Sequence, residues 1–166
     1  RVISAAEGEF KPEMLDETVE YCGMNVRYSS AWKKIEKDGD LNLGTLGDEH
    51  AKDVIINIRN FNALPPSLQG THDFLFQEEF ITGFSEAEEA NFELISSESA
   101  MLGEKKCFYL EYYMPENNVY VAHILFEHND RLIEVAFYNV EQEKIDDARR
   151  QVFDVFLEGI EFVDGE

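Results

Sequence analysis

The stretch Glu104 to Asn139, EKKCFYLEYYMPENNVYVAHILFEHNDRLIEVAFYN, constrains the fold more than any other part of the chain. Tyr120, Ala122, Ile124 and Phe126 alternate onto one face, the period of two that marks a strand. Ile133, Val135 and Phe137 make a matching apolar face in the segment that follows. Asn129-Asp130 between them tolerate positive φ, so the two segments read as a tight hairpin with both apolar faces on one side. An earlier strand carries Phe108, Leu110, Tyr112 and Met114 on its more apolar face. Joining that face to the Tyr120 face requires a loop with an odd number of residues. Glu116-Asn117-Asn118, with Asn118 left-handed, is the expected solution. The opposite faces hold Tyr109, Tyr113, Val121, Leu125, Leu132 and Tyr138, so the sheet is expected to be covered on both sides, at least in part.

Length sets the frame around this unit. A chain of 166 residues, 44% hydrophobic, with 13 Phe and 7 Tyr, supports one domain with a sizeable core. No apolar run approaches the roughly 20 residues that cross a bilayer as a helix. The first residue is Arg1 and not Met, which reads as a processed or trimmed chain, a removed signal sequence being one explanation. The formal charge is −21, from 35 acidic and 14 basic residues. Such a balance argues against binding nucleic acid through its phosphates and against anionic membrane surfaces. It fits a basic partner, cation binding or solubility alone. Cys22 and Cys107 are too few for a disulfide framework or a zinc site, and both fall in expected strands.

Residues 1–18 read as an acidic lead-in or tether, with Glu7, Glu9, Glu13, Asp16 and Glu17, and residues 19–166 as a single domain. Val19 and Tyr21 alternate, Gly23 interrupts, and Met24, Val26 and Tyr28 resume, giving two short strands or one bulged strand. Trp32, the only tryptophan, is expected to anchor the core, with Lys33 and Lys34 returning to solvent. Strands are expected over Leu41–Leu46 and Asp53–Phe61. A helix capped by Ser67 or Thr71 then runs to about Thr82, carried by Phe76, Phe80 and Phe84. An acidic connector over Ser85–Asn91 leads to a short strand over Phe92–Ser96. The clearest helix spans Glu141–Glu158, with Ile145, Ala148, Val152, Val155 and Phe156 on one side and acidic residues at its positive end. Gly159 ends it, and Ile160 and Phe162 form a closing strand. This order predicts an α+β domain, an antiparallel sheet with helices packed on it.

Tyr21 to Trp32, YCGMNVRYSSAW, resembles the opening of the PsbP-like family, whose second strand runs through a Gly into an apolar strand and then a Pro and a Trp. The likeness continues through the Gly103 strand start, the two hairpins and the closing FLEGIEF of Phe156–Phe162. Ser29 stands where the family often has Pro, and Gly159-Ile160 where Ser-Phe is usual. The resemblance implies an α-β-α sandwich used as a binding or accessory module, with no shared catalytic residues. Members include an extrinsic photosystem subunit, a Ran-binding import factor and bacterial envelope lipoproteins.

Three constellations invite a chemical reading. Asp38, Asp40, Asn42 and Glu49 match EF-hand ligand positions, but Leu43 stands where the loop needs Gly and the segment lies between strands, so no calcium site is expected. His123 and His128 are five positions apart along one strand and point to opposite faces, so they cannot share a metal. His72-Asp73 with Ser67 or Thr71 lacks triad geometry. The expectation is a protein that is not an enzyme and needs no cofactor or metal. Its interaction surface would be acidic, with exposed aromatics: Tyr109, Glu111, Tyr113, Glu134 and Tyr138, provided that the helices leave that face open. Two functions follow: an exported, lipid-anchored envelope domain binding a basic protein partner, or an intracellular acidic inhibitor or immunity-type protein docking on one.

Overall fold

A computed structural model describes residues 2–63, 93–140 and 144–163. In chain order the strands are β1 (Glu17–Tyr21), β2 (Met24–Tyr28), β3 (Lys33–Lys37), β4 (Asp40–Gly44), β5 (Val54–Ala63), β6 (Glu93–Leu102), β7 (Lys105–Met114), β8 (Val119–His128), β9 (Arg131–Asn139) and, after the helix α1 (Asp147–Glu158), β10 (Glu161–Phe162). Seven strands form an antiparallel sheet ordered β3-β4-β5-β9-β8-β7-β6, and β1, β2 and β10 form a smaller one. Sheet and helix together make the expected α+β class. Among the described residues no helix is long and apolar enough to cross a membrane. The helix expected from Ser67 or Thr71 to Thr82 and the connector over Ser85–Asn91 lie outside the described residues.

The β8–β9 hairpin forms as its turn residues require. Asn129 and Asp130 take φ of 51° and 61°, and Ile124 pairs with Val135 and Ala122 with Phe137. The preceding turn corrects the expected register. It holds four residues, Pro115 to Asn118, and Met114 pairs with Val119. Asn118 is left-handed as expected, at φ 50°. Pro115 is the extra residue, excluded from the ladder because it has no N–H to give. One residue of slip turns every side chain of a strand over. Tyr109, Glu111 and Tyr113 therefore join Ala122 and Ile124, while Phe108, Leu110 and Tyr112 join Val121 and Leu125 on the second face.

The main core lies between the first face and α1. Val152, Phe153, Val155 and Phe156 are buried there, and Phe153 stacks on Phe137 at 4.8 Å between ring centroids. The helix starts later than expected. Asp146 is its N-cap, accepting from the Arg149 N–H at 2.8 Å, and Asp147 is the acidic residue of its first turn. Ala148 is exposed and Arg149 buried, the reverse of the apolar stripe read from sequence. The second face is buried too: Phe108, Leu110, Tyr112, Val121, Leu125 and Ala136 are each 5% exposed or less.

Two strands were invisible or truncated in the pattern for one reason. All of β3 is exposed, and β6 is exposed from Ser96 to Ser99, so neither shows alternation. Both are the outer strands of the sheet. Cys22 lies in the β1–β2 turn at φ 48° and not in a strand.

Residues 2–15 are not the loosely held lead-in expected of a tether. Ile3, Phe10 and Leu15 are buried in the main core. Gln151 of α1 holds the segment by its amide, donating to the Phe10 carbonyl at 2.6 Å and accepting from the Phe10 N–H at 3.3 Å. Gln151→Ala is expected to cost about 1–3 kcal/mol, the penalty for stranding buried main-chain groups. Cleavage by a glutamate-specific protease after Glu7, Glu9 or Glu13 should precede global unfolding in that variant and not in the wild type.

Candidate functional site

The five residues expected to form one interaction surface are divided between the two faces of the sheet. Glu111 lies under α1, where both guanidinium nitrogens of Arg150 grip it and the Tyr109 hydroxyl donates to it at 2.7 Å. Tyr109 is 2% exposed and Glu111 6%, so both serve the core. Tyr113 is half-buried, its ring tilted against that of Tyr120 at 4.6 Å between centroids, and its hydroxyl donates to Asn118 at 2.7 Å. Glu134 and Tyr138 sit on the second face, with Glu134 buried and Tyr138 half-buried. The register change at Pro115 is what separates the set.

Glu134 belongs instead to a polar row that crosses five adjacent strands of the second face. Asp40 of β4 lies 3.6 Å from Arg59 of β5, and Arg59 pairs in register with Glu134 of β9. Glu134 lies 3.3 Å from Nε2 of His123 on β8, and the Tyr112 hydroxyl of β7 lies 3.4 Å from Nδ1 of the same ring. Burial alone would raise the Glu134 pKa. His123 beside it and Arg59 outweigh that effect and hold the carboxyl below its ordinary value. The row runs from a partly exposed Asp40–Arg59 end to a fully buried His123. The row thus ties five adjacent strands together across the second face. The Asn129-Asp130 turn sets the β8–β9 register, so the proximity of His123 to Glu134 was readable from sequence.

A cleft of about 1070 Å³ opens where the N-terminal segment, the β6–β7 turn, the end of α1 and β10 meet. Its lining includes Ile3, Lys105, Lys106, His128, Glu158 and Phe162. His128 Nε2 reaches the carbonyls of Gly23 and Val163 at 2.9 and 3.0 Å and must donate to them. Its Nδ1 then accepts from Lys105, whose ammonium lies 3.2 Å away and 5.0 Å above the Phe162 ring. Lys105 and Phe162 had no sequence signal, because the cleft gathers four segments far apart along the chain. His123 and His128 do point to opposite faces, as their spacing requires.

The other constellations are dispersed. Asp38 and Gly39 form the β3–β4 turn, Asp40 faces Arg59, and Asn42 accepts from Asn57 at 2.7 Å. Among the described residues no three His, Cys, Asp or Glu side chains are grouped to hold a metal. His72, Asp73, Ser67 and Thr71 lie outside the described residues. Both cysteines are free, and burial pushes the Cys107 thiol up to about 12, so it stays protonated.

Among the described residues the docked N-terminal segment carries a run of exposed acidic side chains. Glu7, Glu9, Glu13, Asp16 and Glu17 are all exposed along it, while Phe10 and Leu15 between them are buried. Asp16 accepts from the Ser30 N–H at 2.8 Å and the Ser30 hydroxyl at 2.9 Å, which lowers its pKa. The carboxylates are thus carried on a docked segment and not on a free tail.

No protein-family model matches the chain, and no curated protein matches it. Among solved structures it is similar to cyanobacterial PsbP from Synechocystis sp. PCC 6803, at 16% identity and a TM-score of 0.57, over 88% of this chain and 91% of that one. It is also similar to a Pseudomonas aeruginosa protein of unknown function described as a putative regulator, at 10% identity and a TM-score of 0.45, over 74% of this chain and 81% of that one. A Bacteroides thetaiotaomicron protein aligns at 15% identity and a TM-score of 0.47, over 84% of this chain and 45% of that one. The first of these, spanning nearly the whole of both chains, shows that this chain has a PsbP-like fold.

Proposed function

We propose that the chain is a non-catalytic binding or accessory domain of an exported envelope protein, taking a basic protein partner on an acidic face. The observation that carries this reading is the ordered N-terminal segment, which displays five exposed carboxylates on a scaffold fixed by Phe10 and Gln151. A preorganised line of charge steers a cationic surface and fixes its register more effectively than a mobile tail does. The buried carboxylates support the same reading, since Glu111 is held by Arg150 and Glu134 by His123 and Arg59. The domain is taken to be an α-β-α sandwich, because both faces of its central sheet are buried.

The test is a pull-down from an envelope extract of the source cell at low and high salt. The expected result is a partner of basic composition that is lost at high salt. Reversing Glu7, Glu9 and Glu13 to Lys should weaken its binding by about tenfold or more. A hydrolytic or transfer activity abolished by one polar substitution, with no salt-sensitive partner, would overturn the proposal.

A further inference from the structure

β6 ends the seven-stranded sheet, bonded to β7 on its inner side. Among the described residues its outer side is engaged at one point, where the Ile3 N–H donates to the Met101 carbonyl at 2.8 Å in a parallel Val2–Met101 bridge. That contact fixes the phase of the edge. If the Met101 carbonyl points outward, strand alternation points the main-chain groups of Ser99 and Ser97 outward as well. Ser97 and Ser99 are exposed, as are Ile95 at 46% and Met101 at 36%.

The two outer strands are guarded differently. β3 carries Lys33, Lys34 and Lys37, all exposed, the usual defence of a sheet edge against stray strands. β6 has no Lys, Arg or Pro; its one irregularity is the register shift around Ile95, away from Ser97 and Ser99. Its charged residues are Glu93 and Glu98, both exposed. An edge that already accepts two residues of the chain's own backbone, and whose own residues carry negative charge and no Lys, Arg or Pro, is suited to receive a positively charged strand.

We infer that the outer edge of β6 is a docking site for an extended, lysine- or arginine-bearing segment of a partner protein, which adds to the sheet as an eighth strand. Main-chain hydrogen bonds at Ser97 and Ser99 would supply affinity, and the exposed Glu93 together with the absence of Lys and Arg from β6 the charge preference. A second copy of this chain is a poorer occupant. Its own β6 brings glutamates against glutamates, and its β3 comes with a body of charge −21. The inference rests on the binding reading above and names its mode of recognition.

The probe is a short fluorescein-labelled peptide of alternating lysine and valine, followed by anisotropy at low salt and by amide hydrogen exchange resolved at β6. The lysine peptide should bind, and the same peptide with glutamate for lysine should not. Binding should slow exchange at Ser97 and Ser99. N-methylating alternate peptide residues should weaken it by about tenfold, the loss of one or two main-chain hydrogen bonds. Ser99→Pro should weaken it similarly, whereas Ser99→Ala, which keeps the N–H, should bind as the wild type does. The methylated probe keeps the test decisive even if Ser99→Pro folds poorly. Salt-sensitive binding of the lysine peptide with unchanged exchange at Ser97 and Ser99 would overturn strand addition and leave the binding reading standing. No binding of the peptide would also overturn it, and the pull-down then decides the binding reading separately. Concentration-dependent self-association that protects Ser97 and Ser99 would assign the edge to a second copy and overturn the proposed occupant.

Discussion

Trp32→Ala is expected to destabilise the domain by about 3–5 kcal/mol, the range for deleting a large buried aromatic. Trp32 is 5% exposed and sits between Phe10, whose ring stacks on it at 5.7 Å, and Phe156 of α1 at 6.3 Å. Its indole N–H donates to Asp48 at 2.8 Å, which closes the loop between β4 and β5 onto the same point. Truncation removes the contact shared by the N-terminal segment, that loop and the helix, and none of the three can collapse alone to fill the space. Against a typical total of about 5–15 kcal/mol, such a loss leaves a marginal domain. Urea denaturation followed by circular dichroism measures it. A cost below about 1 kcal/mol would mean that the site repacks, contrary to the fixed ring geometry. Trp32→Phe, which retains the stack and loses the hydrogen bond, should fall well short of the alanine cost.

How much of this was legible follows burial. β8, β9, β2 and β5 carry one face into a core, so alternation announces them. β3 and the Ser96–Ser99 part of β6 have solvent on both sides, so the physical force that writes alternation is absent and only the fold reveals them. Trp32 was readable because a lone large aromatic beside a strand end has few other uses. The N-terminal segment misled because its charges outnumber its apolar residues. Ile3, Phe10 and Leu15 nonetheless dock it, each buried in the main core, with Gln151 holding the Phe10 main chain. The candidate surface failed at Pro115. Counting that residue into the turn moves Tyr109 and Glu111 from the second face to the face under α1, where Arg150 of a helix more than 35 positions away completes the Glu111 site. Nothing local to Glu111 encodes that partner.

Glu134→Ala should cost about 3–5 kcal/mol, because removing one member of a buried pair strands the other in a low-dielectric site. Glu134 is 2% exposed and His123 fully buried, so neither can turn to water. Replacing both with leucine should recover most of the loss, since an apolar pair of similar volume has no charge to desolvate. Thermal melts of wild type, Glu134→Ala and the His123→Leu/Glu134→Leu double variant separate these outcomes. A double variant as unstable as Glu134→Ala would mean that Glu134 is needed for packing and not for its charge. The pH dependence gives an independent check. Burial would raise the Glu134 pKa, but His123 and Arg59 hold it below its ordinary value of 4.5. A carboxyl whose folded pKa is depressed contributes stability that is complete above the unfolded value and is lost as pH falls through the folded one. The gap in stability between wild type and Glu134→Gln should therefore be widest near neutrality and shrink on the acid side of 4.5. Once the pH falls through the folded value, protonation removes the negative charge that His123 and Arg59 face in the wild type, and the glutamine variant has already lost it. A gap that stays constant from neutral to acid pH would show that Glu134 is not held as a carboxylate by its neighbours, and the polar row would then stabilise the sheet by shape alone.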